Sequence, residues 1–134
     1  MSSVPVPIGI AVVEHNGCFL VGIREADTPL AGYAEFPGGK CRTGETSRET
    51  ARRECWEETG LQVLPISLLH NQTFAYPHGT LALHFWLCRP AQPSSVTEQH
   101  RGFRWIEVSE LATLQFPEAN SRVIELLIAR DSSE

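Results

Sequence analysis

Short apolar runs of strand length fill the first part of the chain, and helical spacing appears in its middle and at its end. Val6 to Val13 and Cys18 to Ile23 are β-branched and apolar, and Asn16-Gly17 between them reads as a hairpin turn. Residues 25 to 34 are turn-rich and read as a loop over the site. Pro37-Gly38-Gly39 follows as a tight loop, then a helix over roughly 47 to 59. Residues 61 to 76 form one strand broken near Pro65, and Thr80 to Cys88 another. Residues 89 to 99 hold two prolines and mostly polar side chains, as a surface loop does; Gly102 to Val108 is a short strand and Ser109-Glu110-Leu111 starts a helical turn. Pro117 to Arg130 closes the chain as a helix with Val123, Ile124, Leu127 and Ile128 as its apolar stripe.

The central helix carries the chemistry. Glu54, Glu57 and Glu58 fall at i, i+3 and i+4 and share one face. Like charges at i, i+4 destabilise a bare helix, and a divalent cation would offset that repulsion. Three carboxylates suit a hard, oxygen-seeking ion, Mg²⁺ or Mn²⁺, rather than Zn²⁺. Mg²⁺ keeps several waters and takes substrate phosphates, so such a face implies a phosphate-bearing partner. Thr46-Ser47-Arg48-Glu49 has the form of a capping box, and Gly60 suits the left-handed stop. Gly38 and Gly39 lack a Cβ, which lets their backbone carbonyls approach an ion. A merely solvated acidic face would explain the glutamates but not the glycines and Glu45 falling in step with them.

Residues 39 to 61 resemble the Nudix box: Gly, five residues, Glu, seven residues, Arg-Glu, an aliphatic, any residue, Glu-Glu, any residue, Gly, an aliphatic. Gly39, Glu45, Arg53, Glu54, Glu57, Glu58, Gly60 and Leu61 fall on the pattern, and Cys55 stands in the aliphatic slot, where it reads as a small buried apolar residue. The resemblance implies an α/β fold, a Nudix-type α/β/α sandwich with a mixed β-sheet, one box helix and a C-terminal helix, as a single domain over residues 1–134. It implies hydrolysis of a nucleoside diphosphate linked to a further group. Glu54, Glu57, Glu58 and the Gly38 backbone would hold one or more Mg²⁺ ions. Arg53 would orient a box glutamate, and Glu45 the cluster, through Arg53 or a water. Glu54 or Glu98 would take the proton from the attacking water; the choice between them stays open.

Composition narrows the partners. With 134 residues, 42% of them hydrophobic, and a net charge of −5, the chain fits one globular domain and has no basic stripe for polymeric DNA or RNA. No apolar run nears the ~20 residues of a membrane span. The opening Met-Ser-Ser-Val-Pro-Val-Pro lacks a leader's basic region, so a cytoplasmic location with reduced thiols is expected. Cys18, Cys41, Cys55 and Cys88 form no Cys-x-x-Cys and match no histidine spacing, which argues against zinc.

Beyond the box, the chain is similar to the MutT branch, whose members hydrolyse oxidised dGTP to the monophosphate and pyrophosphate. Glu35-Phe36-Pro37-Gly38-Gly39-Lys40 matches the approach to the box, and Phe116-Pro117-Glu118-Ala119-Asn120 the segment with the base-reading asparagine. By that match Asn120 would pair with the purine edge through its amide. Phe36 would wall the base or simply fill the core, and Arg24 would reach the sugar or base edge. Glu98 sits in a loop where MutT-like proteins carry a further glutamate near the metal. His78-Gly79 departs from the branch's Asp-Arg, which leaves CTP, dCTP or another nucleoside diphosphate derivative open as substrate. A non-catalytic nucleotide-binding module is the contrasting reading, against which stands the filling of every acidic box position. Neither the oligomeric state nor the preferred metal is legible.

Overall fold

Strand β1 (Val6–His15) divides the molecule into two layers. Its Ala11 and Val13 side chains face one layer and Val12 the other, all fully buried, as the two-residue period of a strand requires. The computed structural model describes residues 4–132. Residues 1–3 and 133–134, part of the expected domain and of the opening read for a leader, lie outside the described residues.

One flank of β1 pairs in parallel with β6 (Gly79–Pro90) from Val6 to Val13, and β5 (Val63–Tyr76) lies antiparallel outside β6. The other flank changes partner along its length. Ile8–Ile10 pair with β4 (Gly38–Lys40), whereas Glu14–His15 pair with β2 (Cys18–Ile23). Beyond β2 come β8 (Phe103–Glu107) and β7 (Gln99–His100), and the short β3 (Ala34–Glu35) also pairs with β2. The result is an eight-stranded mixed sheet, opened between β4 and β2.

Helix α1 (Ser47–Thr59) covers one face, setting Ala51 and Cys55 against Val13, Leu20 and Val63. The helical turn α2 (Val108–Leu111) and helix α3 (Ser121–Ser132) cover the other, setting Leu111, Val123 and Leu127 against Val12, Phe19 and Phe85. This is the expected α/β/α sandwich. Asn16 and Gly17 both have positive φ, the requirement of a type I′ hairpin turn. The break near Pro65 is a register shift between Pro65 and Ser67, followed by a second between Leu68 and His70.

Three expectations need correction. Pro37-Gly38-Gly39 is not a tight turn: Gly38–Lys40 is extended and paired to β1. The glycines are needed there for close approach, since a Cβ on Gly39 would collide with the Glu54 carboxylate. The loop expected over 89 to 99 is shorter, because β6 runs to Pro90, a 3-10 turn occupies Pro93–Ser95, and β7 begins at Gln99. The closing helix opens as a 3-10 turn over Glu118–Asn120 and becomes α-helical only at Ser121.

Candidate functional site

Helix α1 is fixed at both ends by its own sequence. The Thr46 hydroxyl accepts from Glu49 N (3.1 Å) while the Glu49 carboxylate accepts from Thr46 N (2.9 Å), a complete capping box worth about 1 kcal/mol. Gly60 ends the helix at φ 76° and donates its N–H to Trp56 O. Ser47 Oγ, in the first turn, accepts from Trp86 Nε1 (3.0 Å) and lies 2.8 Å from His84 Nδ1, tying the helix start to β6. With ends and roll fixed, the face bearing Glu54, Glu57 and Glu58 is turned to β4.

Arg53 organises that face. Its guanidinium grips Glu45 with two bonds, Nε to Oε2 at 2.8 Å and Nη2 to Oε1 at 2.9 Å, and the paired side chains are largely enclosed. Its Nη1 also reaches Glu54 (3.2 Å) and Glu57 (3.1 Å), and Nη2 donates to Lys40 O (3.2 Å). Glu45 further accepts from the buried Thr50 hydroxyl (2.7 Å) and from Arg42 N (3.0 Å). These bonds, Arg53's first, hold the Glu45 carboxyl well below the usual carboxylate range and raise the arginine in turn. Glu45 and Arg53 are thus a charged pair at neutral pH, with Arg53 as the strut on which Glu54 and Glu57 lean.

Glu58 is the opposite case. Burial, then a hydrogen bond to Glu54 and the repulsion of Glu54 and Glu35, push its carboxyl well above the usual range; Gly38 N–H, 3.3 Å away, pulls the other way. Among the described residues no three Asp, Glu, His or Cys side chains converge as a ready cation cage. The bonding accounts for part of this: Arg53 and Arg42 both bind Glu57, and Arg53 also binds Glu54. The donor set nevertheless fits a hard divalent cation. It is all oxygen, and Glu54 stands close enough to Glu58 to oppose its ionisation, an opposition that a cation would relieve.

Strand β4 supplies a backbone donor to the same place. Cys41 N bonds Pro7 O (2.9 Å) and Ala11 N bonds Pro37 O (2.8 Å), so 7↔41, 9↔39 and 11↔37 are the hydrogen-bonded pairs. Gly38 therefore turns its N–H and C=O away from β1, on the side where Glu58 meets its N–H. The groups able to hold a cation are then Glu54, Glu57, Glu58 and the Gly38 carbonyl.

The remaining candidates lie apart from that helix face. Arg24 pairs with Glu35 (3.0 Å) and donates to Pro29 O (2.7 Å), on the rim of a groove of about 320 Å³ that Arg101 and Phe103 also line. Phe36 is buried and stacks on Phe116 with centroids 5.1 Å apart. Asn120 is half-buried four residues after Phe116, its Nδ2 donating to Pro117 O (3.3 Å). Glu98 is exposed, and no hydrogen bond or ion pair joins it to α1 among the described residues. A cleft of about 750 Å³ lined by Glu14, Arg89, Leu127 and Arg130 contains none of these groups. Glu54 and Glu58 are half-buried and Glu57 is exposed, and cavity size alone does not find them.

Sequence reasoning missed four residues of this network: Glu35, Arg42, Thr50 and Arg101. Glu35 and Arg42 flank β4, and Thr50 lies on the buried side of α1 opposite Glu45, a relation visible only once the loop is folded back. Arg101 comes from a distant hairpin and donates to Glu57 O (3.0 Å). No local pattern signals it.

The chain resembles known proteins over most of its length. Residues 5–127 match the NUDIX domain family. The chain is 32% identical over 127 residues to the 8-oxo-dGTP diphosphatase of Escherichia coli strain K12, covering 95% of this chain and 98% of that protein. It is 36% identical to the 8-oxo-dGTP diphosphatase of Haemophilus influenzae, covering 93% and 91%. A CTP pyrophosphohydrolase of Escherichia coli is 27% identical, covering 80% and 78%. Among solved structures, the Escherichia coli ORF135 protein superposes with a TM-score of 0.78 at 22% identity over 96% of this chain and 92% of that one, a likeness of fold. No helix among the described residues is long and apolar enough to cross a membrane.

Proposed function

Because the chain belongs to the NUDIX domain family, we propose that this hydrolase cleaves 8-oxo-dGTP, or a related nucleoside triphosphate, to the monophosphate and pyrophosphate with Mg²⁺. The observation that carries the reading is the carboxylate face of α1 opposite the outward-turned Gly38 backbone, with Glu45 and Arg53 bracing it. The relatives named as 8-oxo-dGTP diphosphatases support the substrate. CTP or dCTP is the second reading, supported by the CTP pyrophosphohydrolase relative and by His78-Gly79.

Glu54, Glu57, Glu58 and the Gly38 carbonyl would hold Mg²⁺, with Mn²⁺ as the substitute, and Glu98 would join them from its loop. The bound cation would screen phosphate charge and acidify a water for in-line attack. Arg53 keeps Glu54 oriented, and Glu54 or Glu98 accepts the proton of the attacking water, help worth ~10²–10⁴ in rate. Burial and the neighbouring Glu54 oppose ionisation of Glu58, and a cation held there would favour its carboxylate form. Asn120 would read the base edge, Phe36 would support the base through its stack with Phe116, and Arg24 would reach the sugar. No polymeric nucleic acid or membrane is needed, and a cytoplasmic location suits a nucleotide-pool enzyme.

The test is a turnover panel in Mg²⁺ with 8-oxo-dGTP, dGTP, CTP, ADP-ribose and a dinucleotide, with pyrophosphate and orthophosphate assayed separately. A kcat/KM strongly favouring 8-oxo-dGTP, with pyrophosphate released, is expected. Preference for CTP would keep the box and discard Asn120 as purine reader. Tight binding with no turnover of any compound would make the domain a sensor.

A further inference from the structure

Strands β7 and β8 are joined by the two residues Arg101 and Gly102, both in the left-handed region at φ 51° and 88°. This is the type I′ pattern, where Asn or Gly is comfortable and an arginine, with its Cβ, is strained. Strain at a specific residue calls for a use of its side chain. The Arg101 guanidinium crosses to α1, donates Nη1 to Glu57 O (3.0 Å) and lies over the αL residue Gly60. No basic residue occupies the last turn of α1, which holds Glu57 and Glu58 and ends at Thr59. Arg101 therefore supplies from another element the positive charge that a helix carboxyl end favours.

The segment around Arg101 is cross-linked by its own hydrogen bonds. Trp105 Nε1 donates to Thr97 O (2.9 Å), Thr97 Oγ1 to Gln99 O (2.9 Å), and Thr97 N to His100 Nε2 (3.3 Å). The His100 and Trp105 rings meet edge-on with centroids 5.7 Å apart. Glu98 sits exposed inside this packet. Pairing of β8 with β2 and burial of Phe103 fix the base of the hairpin. Between the packet and α1, however, the Arg101–Glu57 bond is the one hydrogen bond among the described residues. Phe103 lies in the same apolar cluster as Ala51 and Cys55 of α1, and the Trp105 ring meets that of His15; beyond these contacts, the Arg101 bond is the polar link that ties the tip of the hairpin to the last turn of α1.

We propose that Arg101 is a positioning residue: it latches the Thr97–Trp105 packet onto the last turn of the box helix and so sets where Glu98 stands relative to Glu54, Glu57 and Glu58. This rests on the hydrolase reading above. Arg101 does not act on substrate; it acts through Glu98.

Arg101→Asn is the informative variant, because asparagine suits the turn better than arginine while removing the latch. A turn-only role would leave kcat intact. The latch instead gives a kcat about tenfold lower with KM nearly unchanged, at an undiminished thermal midpoint. Arg101→Lys, which keeps the charge, recovers part of the loss. In an Glu98→Gln background Arg101→Asn causes no further loss. Wild-type kcat in Arg101→Asn, or losses that multiply with Glu98→Gln, would overturn the proposal. Amide exchange without nucleotide is the second measurement, independent of turnover. Faster exchange at both Glu57–Leu61 and Gln99–Phe103 in Arg101→Asn supports the latch, and unchanged exchange overturns it. Absence of any nucleotide turnover by wild type would count against the hydrolase reading, while the exchange result still decides the latch.

Discussion

The two principal helices are held to the same sheet in opposite ways. Helix α3 is fastened by bulk, with Val123 and Leu127 essentially excluded from solvent and Ile124 nearly so. Burial of such side chains is worth about 1.5–3 kcal/mol each. Helix α1 buries only Thr50, Ala51, Cys55 and Thr59, all small. It is fastened instead by close approach over Gly9, by its capping box, and by the Ser47, Arg53 and Arg101 bonds. The difference follows from what each helix presents. A helix that must carry three carboxylates on the face beside β4 cannot be anchored by a wide apolar stripe, so geometry and polar contacts do the fixing. Substitutions in α1 should then act on chemistry and those in α3 on stability.

The largest separation is expected for Glu54→Gln. Turnover should fall at least ~10², with the thermal midpoint little changed, because the amide keeps the side chain's shape and its oxygen can still accept from Arg53 Nη1. Steady-state kinetics and a melting curve on one preparation check both halves. Near-wild-type turnover would remove Glu54 as the base. Leu127→Ala should do the reverse: about 2–5 kcal/mol of stability lost by denaturant titration, with kcat per folded molecule retained. If kcat fell while stability held, the contrast between the helices would be wrong.

Gly9→Ala probes where the two modes meet. A Cβ there would lie 2.7 Å from Thr50 Cβ and 2.9 Å from Ala51 N and would also meet Ser47 O. Backbone must shift, so α1 lifts from β1, with an expected loss of about 1–3 kcal/mol. The carboxylate face would move off Gly38 at the same time, so kcat should fall as well. A stability loss with unchanged kcat would show that the face tolerates displacement.

Legibility in the sequence divides along the same line. The α3 stripe, the β1 and β2 runs, the Asn16-Gly17 turn and the α1 caps were readable because each is a local pattern with one physical meaning. So was the carboxylate face, which needs only helical spacing. Three features were not readable. Gly38–Lys40 looks like a turn because its glycines answer to a collision with Glu54, not to a positive φ. The 3-10 start at Glu118–Asn120 depends on how the chain enters from Gln115, whose carbonyl is held by Ala34 N. Arg101 reaches α1 only after the sheet has assembled, so its role is tertiary throughout.

The smallest effect concerns acid, and it isolates the polar fastening of α1. Arg53, with Arg42 N and Thr50, holds the folded Glu45 carboxyl below its ordinary value of 4.5. The unfolded chain therefore takes up this proton first. The contribution of Glu45 to stability is fully present above about pH 4.5 and is lost as pH falls below it. Glu45→Gln lacks that titration, so its stability should decline less steeply than wild type between pH 5 and roughly pH 3. Glu49, lowered by its bonds to Thr46, titrates with the same sign and remains in both proteins; the Glu45 charge opposes it only as a lesser cause, so most of the difference between the two curves belongs to Glu45. Denaturant midpoints across that range read it directly. Parallel curves would mean that Arg53 holds Glu45 no better than water does, and the strut on which Glu54 and Glu57 lean would then be slack.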